Sequence, residues 1–448
     1  MPHDLASLTA ALLDAARTAG ADSADAIAVQ GTSVTIDVRQ GALEQAEREE
    51  GTDIGLRVLL GQRQAMVSGS DIRPETMRMM AERAVAMARE APEDPYIGLA
   101  TPDQLARDWD IASLELSDPT EEPEPATLQD HALEAEAAAL SVAGISQVQS
   151  ATAAYGARDV HLAASNGFVG GYGRTDRSIS CVAIAGEGTG MERDYDGDSR
   201  IFQSDLRSAR EIGHSAATRV LTRMNPRRPK TGAYPMLFDE RISSSLIGHL
   251  VSAINGSAIA RGASWLRDAM GEDVLPKGID LIEDPHRPRA QASRPFDAEG
   301  LPTQRRALVL NGVLQGWTLD LATARKLGLS SSANATRGPG SAPSPSAWNL
   351  SLTQGMQSRD ELIANMGTGL IVTSMIGSTI SATTGDYSRG AAGLWVENGE
   401  IVYPVSGCTI AGNLRDMLRR MTPANDARPW LSRVVPSLLV EGLTLAGD

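Results

Sequence analysis

The sequence predicts an α+β protein, with an N-terminal α/β half and a C-terminal half that is mainly antiparallel sheet with a few helices. Three observations carry this. The order helix, strands, helix occurs twice, near 1–90 and 126–225, which reads as an internal duplication. Apolar residues alternate in short segments such as "SVTIDVRQ" and "DIGLRVLLG", the period of a half-buried strand. Two Asn-Gly pairs lie between apolar runs, in "ALVLNGVLQGW" and "GLWVENGEIVYP". Asn-Gly tolerates the positive φ angles of a type I′ turn, so each predicts a hairpin.

Taken in order, residues 4–19 form an amphipathic helix. "SVTIDVRQ", "ALEQAERE", "DIGLRVLLG" and "RQAMVSG" read as four strands joined by tight turns. "DIRPETMRMMAERAVAMAREA" is a helix capped by Asp71, with Met77, Met80, Ala84 and Met87 along one face as core filling. Residues 91–125 turn rich in Pro and acid and read as an exposed linker. A helix, three strand-like runs and a second helix complete the domain 1–225. Domain 226–448 opens with the strand "AYPMLFD" and a helix over 240–256.

Composition narrows the function. The net charge of −15 speaks against nucleic-acid binding, which needs clustered Lys and Arg. Two cysteines, Cys181 and Cys408, with no Cys or His at metal-ligand spacing, exclude a structural zinc motif and fit a reducing compartment. The first residues make an amphipathic helix rather than a signal peptide, and the longest uncharged run, 362–385, is too polar for a membrane span, so it reads as buried core. A cytoplasmic protein with no membrane contact is expected.

The helix over 240–256 carries the sharpest question. Asp239 is its N-cap and Asn255-Gly256 its stop. Ile242, Leu246, Ile247, Leu250, Val251 and Ile254 form one apolar face. Ser244 and His249 fall at opposite edges, about 140° apart at helical spacing. Ser245 and His249 are four apart, close enough to meet, but no GxSxG elbow accompanies them and a nucleophilic serine is disfavoured.

Three stretches resemble one family. "FDAEGLPTQRRALVLNGVLQGWTLDLATARKLGLSSSANATR", "TGDYSRGAAGLWVENGEIVYPVSGCTIAGNLRDML" and "VPSLLVEGLTLAG" are similar to the TldD/PmbA family. Its TldD-type members resemble zinc peptidases with an HExxxH helix and a later cysteine ligand. Its PmbA-type members, also called TldE, pair with a TldD-type chain and lack that set. In this sequence "SSLIGH" stands in that register: Ser244 for the first histidine, Ser245 for the glutamate, and only His249 retained. Three protein ligands are the norm for catalytic zinc, and one imidazole does not supply them. Cys408 precedes the AGN motif and does not align with the ligand cysteine; it reads as a small buried hydrophobe.

The resemblance implies a non-catalytic subunit of a cytoplasmic TldD-type zinc peptidase. This chain would have no cofactor, and the zinc would sit in a TldD-like partner within a heterodimer. In isolation the chain could pair with itself, a point the sequence leaves open, and the substrate would be a peptide or unfolded polypeptide. Asp386, Tyr387, Ser388 and Arg389, with Asn334 and Arg337, are the candidate substrate-contacting residues. Two alternatives stay open. One is an independent homodimeric peptidase with an unrecognised site. The other is a non-enzymatic regulator of the gyrase-modulator kind, acting by protein contact.

Overall fold

The N-terminal residues build one sheet from two similar units, as seen in a computed structural model that describes residues 4–447. The first unit runs α1 (Leu5–Ala19), β1 (Ser23–Arg39), β2 (Ala42–Leu60), β3 (Arg63–Gly69), α2 (Pro74–Glu90). The second runs α3 (Pro125–Leu140), β4 (Ile145–Ala164), β5 (Val169–Ala185), β6 (Glu192–Arg200), α4 (Ala209–Leu221). The six strands form a single antiparallel sheet in the order β3-β2-β1-β4-β5-β6, so the units meet where β1 pairs with β4. Register puts Ala24, Ala26, Ala28, Val34, Ile36 and Val38 on one face of β1, under the helices of both units. Alternation along a strand leaves the other face for solvent and for the C-terminal domain.

Two of the expected strands are one. "ALEQAERE" and "DIGLRVLLG" are continuous in β2, which is 19 residues long. The helix after β3 begins at Pro74 with Arg73 as N-cap; Asp71 instead accepts from Arg73 N–H and the Thr76 hydroxyl. Its buried face holds Met77, Met80 and Ala84 as expected, but Met87 is exposed. The segment 91–125 is irregular yet packed. Leu114 and Leu116 are buried, and Trp109 meets Phe168 and Phe296 edge-on or tilted at 6.0 and 4.9 Å. Those rings seat the C-terminal domain on the open face of the sheet.

The C-terminal domain continues with β7 (Gly232–Phe238), α5 (Glu240–Ala253), α6 (Gly256–Ala260), β8 (Leu281–Glu283), β9 (Arg306–Leu310), β10 (Val313–Leu314) and α7 (Leu321–Leu327). It then runs β11 (Ala335–Thr336), β12 (Ser344–Pro345), β13 (Leu350–Leu352), α8 (Arg359–Asn365) and β14 (Gly369–Ile380). It ends with β15 (Asp386–Glu397), β16 (Glu400–Asn413), α9 (Leu414–Arg419), β17 (Met421–Pro423), β18 (Arg433–Val434) and β19 (Leu438–Ala446). Its main sheet has the order β16-β15-β14-β7-β19-β17, and a further β16–β19 pairing closes five strands into a ring. Pairing is antiparallel except for β7–β14 and β13–β18. Both Asn-Gly hairpins are present: Asn311-Gly312 turns β9 into β10 and Asn398-Gly399 turns β15 into β16, all four with positive φ. The fold is α+β.

Candidate functional site

Helix α5 is positioned from three sides. Asp239 caps it by accepting from Arg241 N–H at 3.3 Å. Leu246, Ile247, Leu250 and Ile254 are fully buried, in the same core cluster as Met236 and Phe238 of β7 and Val372 of β14. The helix ends at Ala253. Asn255 is not its stop but the N-cap of α6, accepting from Ser257 N–H at 3.0 Å. At its first turn Arg241 reaches into the N-terminal sheet, donating to Asp194 of β6 at 2.8 Å and lying over the Tyr195 ring.

The edge of α5 that carries "SSLIGH" is half-buried. The His249 ring meets the buried Tyr387 ring edge-on, 5.9 Å between centroids at 71°. Tyr387 donates its hydroxyl to the Met375 sulfur at 3.1 Å, and burial pushes its phenol up to about 12. Burial, then the Arg389 guanidinium, holds the His249 imidazole below its ordinary pKa, so it is neutral near pH 7. Its Nε2 and the Ser245 hydroxyl are buried polar atoms without a hydrogen-bond partner among the described residues. Ser243, which faces the core, bonds the carbonyls of Glu240 and Val435.

The structure brings part of the sequence-derived set together. Tyr387 and Arg389 stand beside His249, Arg389 donating from Nε to the Gly377 carbonyl at 2.7 Å. Ser388 pairs with Thr379 within the sheet. Asp386 is exposed at the start of β15 and accepts from the Thr384 hydroxyl and the Asn413 amide, which hold its carboxyl below the usual range. Asn334 and Arg337 lie elsewhere. Asn334 is fully buried, bonded to Glu283, Ser346, Arg306 and Ser332, so every polar atom is spent on the fold. The Arg337 side chain is fully buried in an ion pair with Asp25 of β1, which Arg57 also holds; it ties the two domains. Neither reaches solvent to meet a peptide.

Beyond those residues the structure shows a cleft of about 870 Å³ between the domains. Val182 and Ile184 of β5, Tyr195 of β6, Ile242 of α5, and Met375 and Ile376 of β14 line it. One wall is a strand edge: β7 pairs with β14 only over 370–372, so 373–380 is bonded to β15 alone. Ile376 is 75% exposed there. The uncharged run expected as buried core is therefore buried only in its first part.

Comparison with known proteins agrees with this architecture. Three models of the PmbA/TldA metallopeptidase match in succession: domain 1 over 24–88, the central domain over 118–224 and the C-terminal domain over 231–447. A relative called metalloprotease PmbA, from Escherichia coli O157:H7, is 36% identical over 433 residues, covering 95% of this chain and 93% of its own. The chain belongs to the PmbA/TldE family. A crystal structure from Bacteroides thetaiotaomicron, described as a candidate modulator of DNA gyrase, superposes with a TM-score of 0.91 at 26% identity, over 99% of this chain and 98% of that one. TldE from Thermococcus kodakarensis shares the fold, with a TM-score of 0.86 at 19% identity, over 98% of this chain and 100% of its own.

The family name implies a metal, and the donor set here does not fit one. Along α5 the positions facing His249 are serines, whose hydroxyls are poor zinc ligands. Cys408 is buried in β16, its thiol donating to the Ala391 carbonyl and pushed up by burial. Among the described residues no three His, Cys, Asp or Glu side chains gather into a metal-binding group. No described helix is long and apolar enough to cross a membrane.

Proposed function

We propose that this chain is the non-catalytic subunit of a cytoplasmic zinc peptidase complex, with the zinc carried by a TldD-like partner and a peptide or unfolded polypeptide as substrate. The observation that carries the reading is α5: a well-packed helix in the family's catalytic register that presents Ser244, Ser245 and one neutral, half-buried His249. Without a carboxylate at 245 it has no general base there, a role commonly worth about 10²–10⁴-fold in rate. The two free, buried cysteines fit a reducing compartment.

The cleft supports the substrate side of the proposal. An extended chain laid along 373–380 would pair with the free edge of β14 and set alternate side chains against Ile376 and Tyr195. In this arrangement Tyr387 and Arg389 act indirectly, by holding α5 and β14 in place.

The test is hydrolysis of an unstructured peptide by this chain alone and by its mixture with a TldD-like protein, each with and without a zinc chelator. Cleavage by the mixture only, stopped by the chelator, is the expected result. Cleavage by this chain alone would overturn the proposal.

A further inference from the structure

The N-terminal sheet has a second open edge that the reading above does not use. β3 pairs with β2 only from Ile54 to Leu60. From Ala42 to Asp53, β2 is bonded to β1 alone, and Ala42–Gly51 are all exposed. Alternate residues of an antiparallel strand direct N–H and C=O away from the paired side, so about half of these residues present both groups to solvent.

The other half of the sheet shows what such an edge takes. β5 is the counterpart of β2, and β6 pairs with it only from Arg177 onward. There the chain covers the edge itself. Thr175 N–H donates to the Leu116 carbonyl at 3.1 Å, and Asp118 N–H donates back to the Thr175 hydroxyl at 2.8 Å. A main-chain segment lies on the edge of β5; the matching edge of β2 has none among the described residues.

Side chains set the chemistry of the occupant. Register places Glu47, Glu49 and Asp53 on the face away from the helices, opposite Thr35, Ser33 and Val29. None of the three makes an ion pair within the described chain, whereas Arg48, on the other face, is held by Glu50 and Glu122. Beside these carboxylates runs a trough of about 620 Å³ with Gly51 of β2 paired to Gly31 of β1 on its glycine floor and Gly156 of β4 two residues along, opposite Ser33; Arg158, the β4 partner of Gly31, and Asp176 line it beyond β1. Strands lie about 4.8 Å apart, so a Lys or Arg stem from an added strand crosses β2 and lies over this glycine floor. A second copy of the same edge would set carboxylate against carboxylate, which is destabilising. Charge on an edge deters unwanted pairing, but charge of one sign deters only strands of that sign.

We infer that the edge Ala42–Asp53 of β2 is a docking site for an extended basic polypeptide segment, with Lys or Arg at alternate positions, that adds to the sheet as a further strand.

The test uses the full chain and a fluorescent peptide of alternating Lys and Thr, followed by anisotropy. Saturable binding is expected, weakened about five- to tenfold by Glu47→Gln with Glu49→Gln, both exposed positions. N-methylating the peptide residues that face β2 should abolish binding, and N-methylating the alternate set should not. The inference is overturned if the Gln variant binds as tightly as the wild type, which would place the peptide elsewhere. It is also overturned if both N-methylated peptides bind like the parent, which would leave charge attraction without strand pairing, or if no peptide binds.

Discussion

Replacing Asp194 by Asn should loosen α5 without disturbing α1, on the far unit of the N-terminal sheet. Asp194 is 7% exposed and holds Arg241 at 2.8 Å and Arg223 at 3.5 Å. Burial raises its carboxyl pKa, but Arg241, the Tyr195 N–H and Arg223 outweigh burial and leave it below the usual value. Removing one partner of a buried pair costs about 3–5 kcal/mol. Here the arginines keep other partners: Arg241 retains the Tyr195 carbonyl and ring, and Arg223 retains Glu192 at 3.6 Å. The cost should therefore fall to about 2 kcal/mol. A chain of several domains has no single unfolding energy, so the assay must be local. Hydrogen exchange of the amides of α5 should speed up about 30-fold, while α1 is unchanged. If α5 exchanges at the wild-type rate, the pair does not position the helix and that reasoning fails. By linkage the pair's contribution is present above the unfolded carboxyl pKa and is lost as pH falls through the lower folded one.

Other outcomes follow from the same contacts. Tyr387→Phe keeps the ring against His249 and should cost about 1 kcal/mol, whereas Tyr387→Ala should cost about 3–5 kcal/mol and let the His249 pKa climb toward its ordinary value in an NMR titration. Because the folded His249 pKa lies below the unfolded one, its neutral state stabilises the fold above about pH 6.5, and that contribution fades on acidification; His249→Gln should flatten the stability profile there. Gly393→Ala would put a methyl group 1.8 Å from the Ile371 carbonyl, forcing β14 and β15 apart, and should lower the melting temperature far more than Gly51→Ala, where nothing lies within 4 Å.

How much of this was legible in the sequence depends on the range of the interaction. The cap at Asp239, the apolar face of α5 and both Asn-Gly hairpins are local patterns, and they stand where the sequence put them. β2 reads as two strands because "ALEQAERE" is exposed on both faces, so no apolar alternation carries across into "DIGLRVLLG" to mark one continuous strand. Asn334 and Arg337 looked like surface binders because polarity says nothing of long-range partners; Glu283 and Asp25 lie 51 and 312 residues away. The free edge of β14 is hidden in the sequence for the converse reason: an uncharged run reads as core, and only the short reach of β7 leaves it open. Tyr387 could be singled out, but its place over His249 follows from the packing of β15 beside α5, which no local signal fixes.

The most direct test of the central claim separates the two chains' helices. Hydrolysis of an unstructured peptide is measured for the complex in which this chain carries Ser244→Ala, Ser245→Ala and His249→Ala, and for the complex in which the TldD-like partner has lost the glutamate of its HExxxH helix. The account predicts that the first complex keeps its rate to within about threefold while the second falls by at least about 10²-fold. A first complex that assembles normally but no longer cleaves would contradict the account and place the chemistry in this chain.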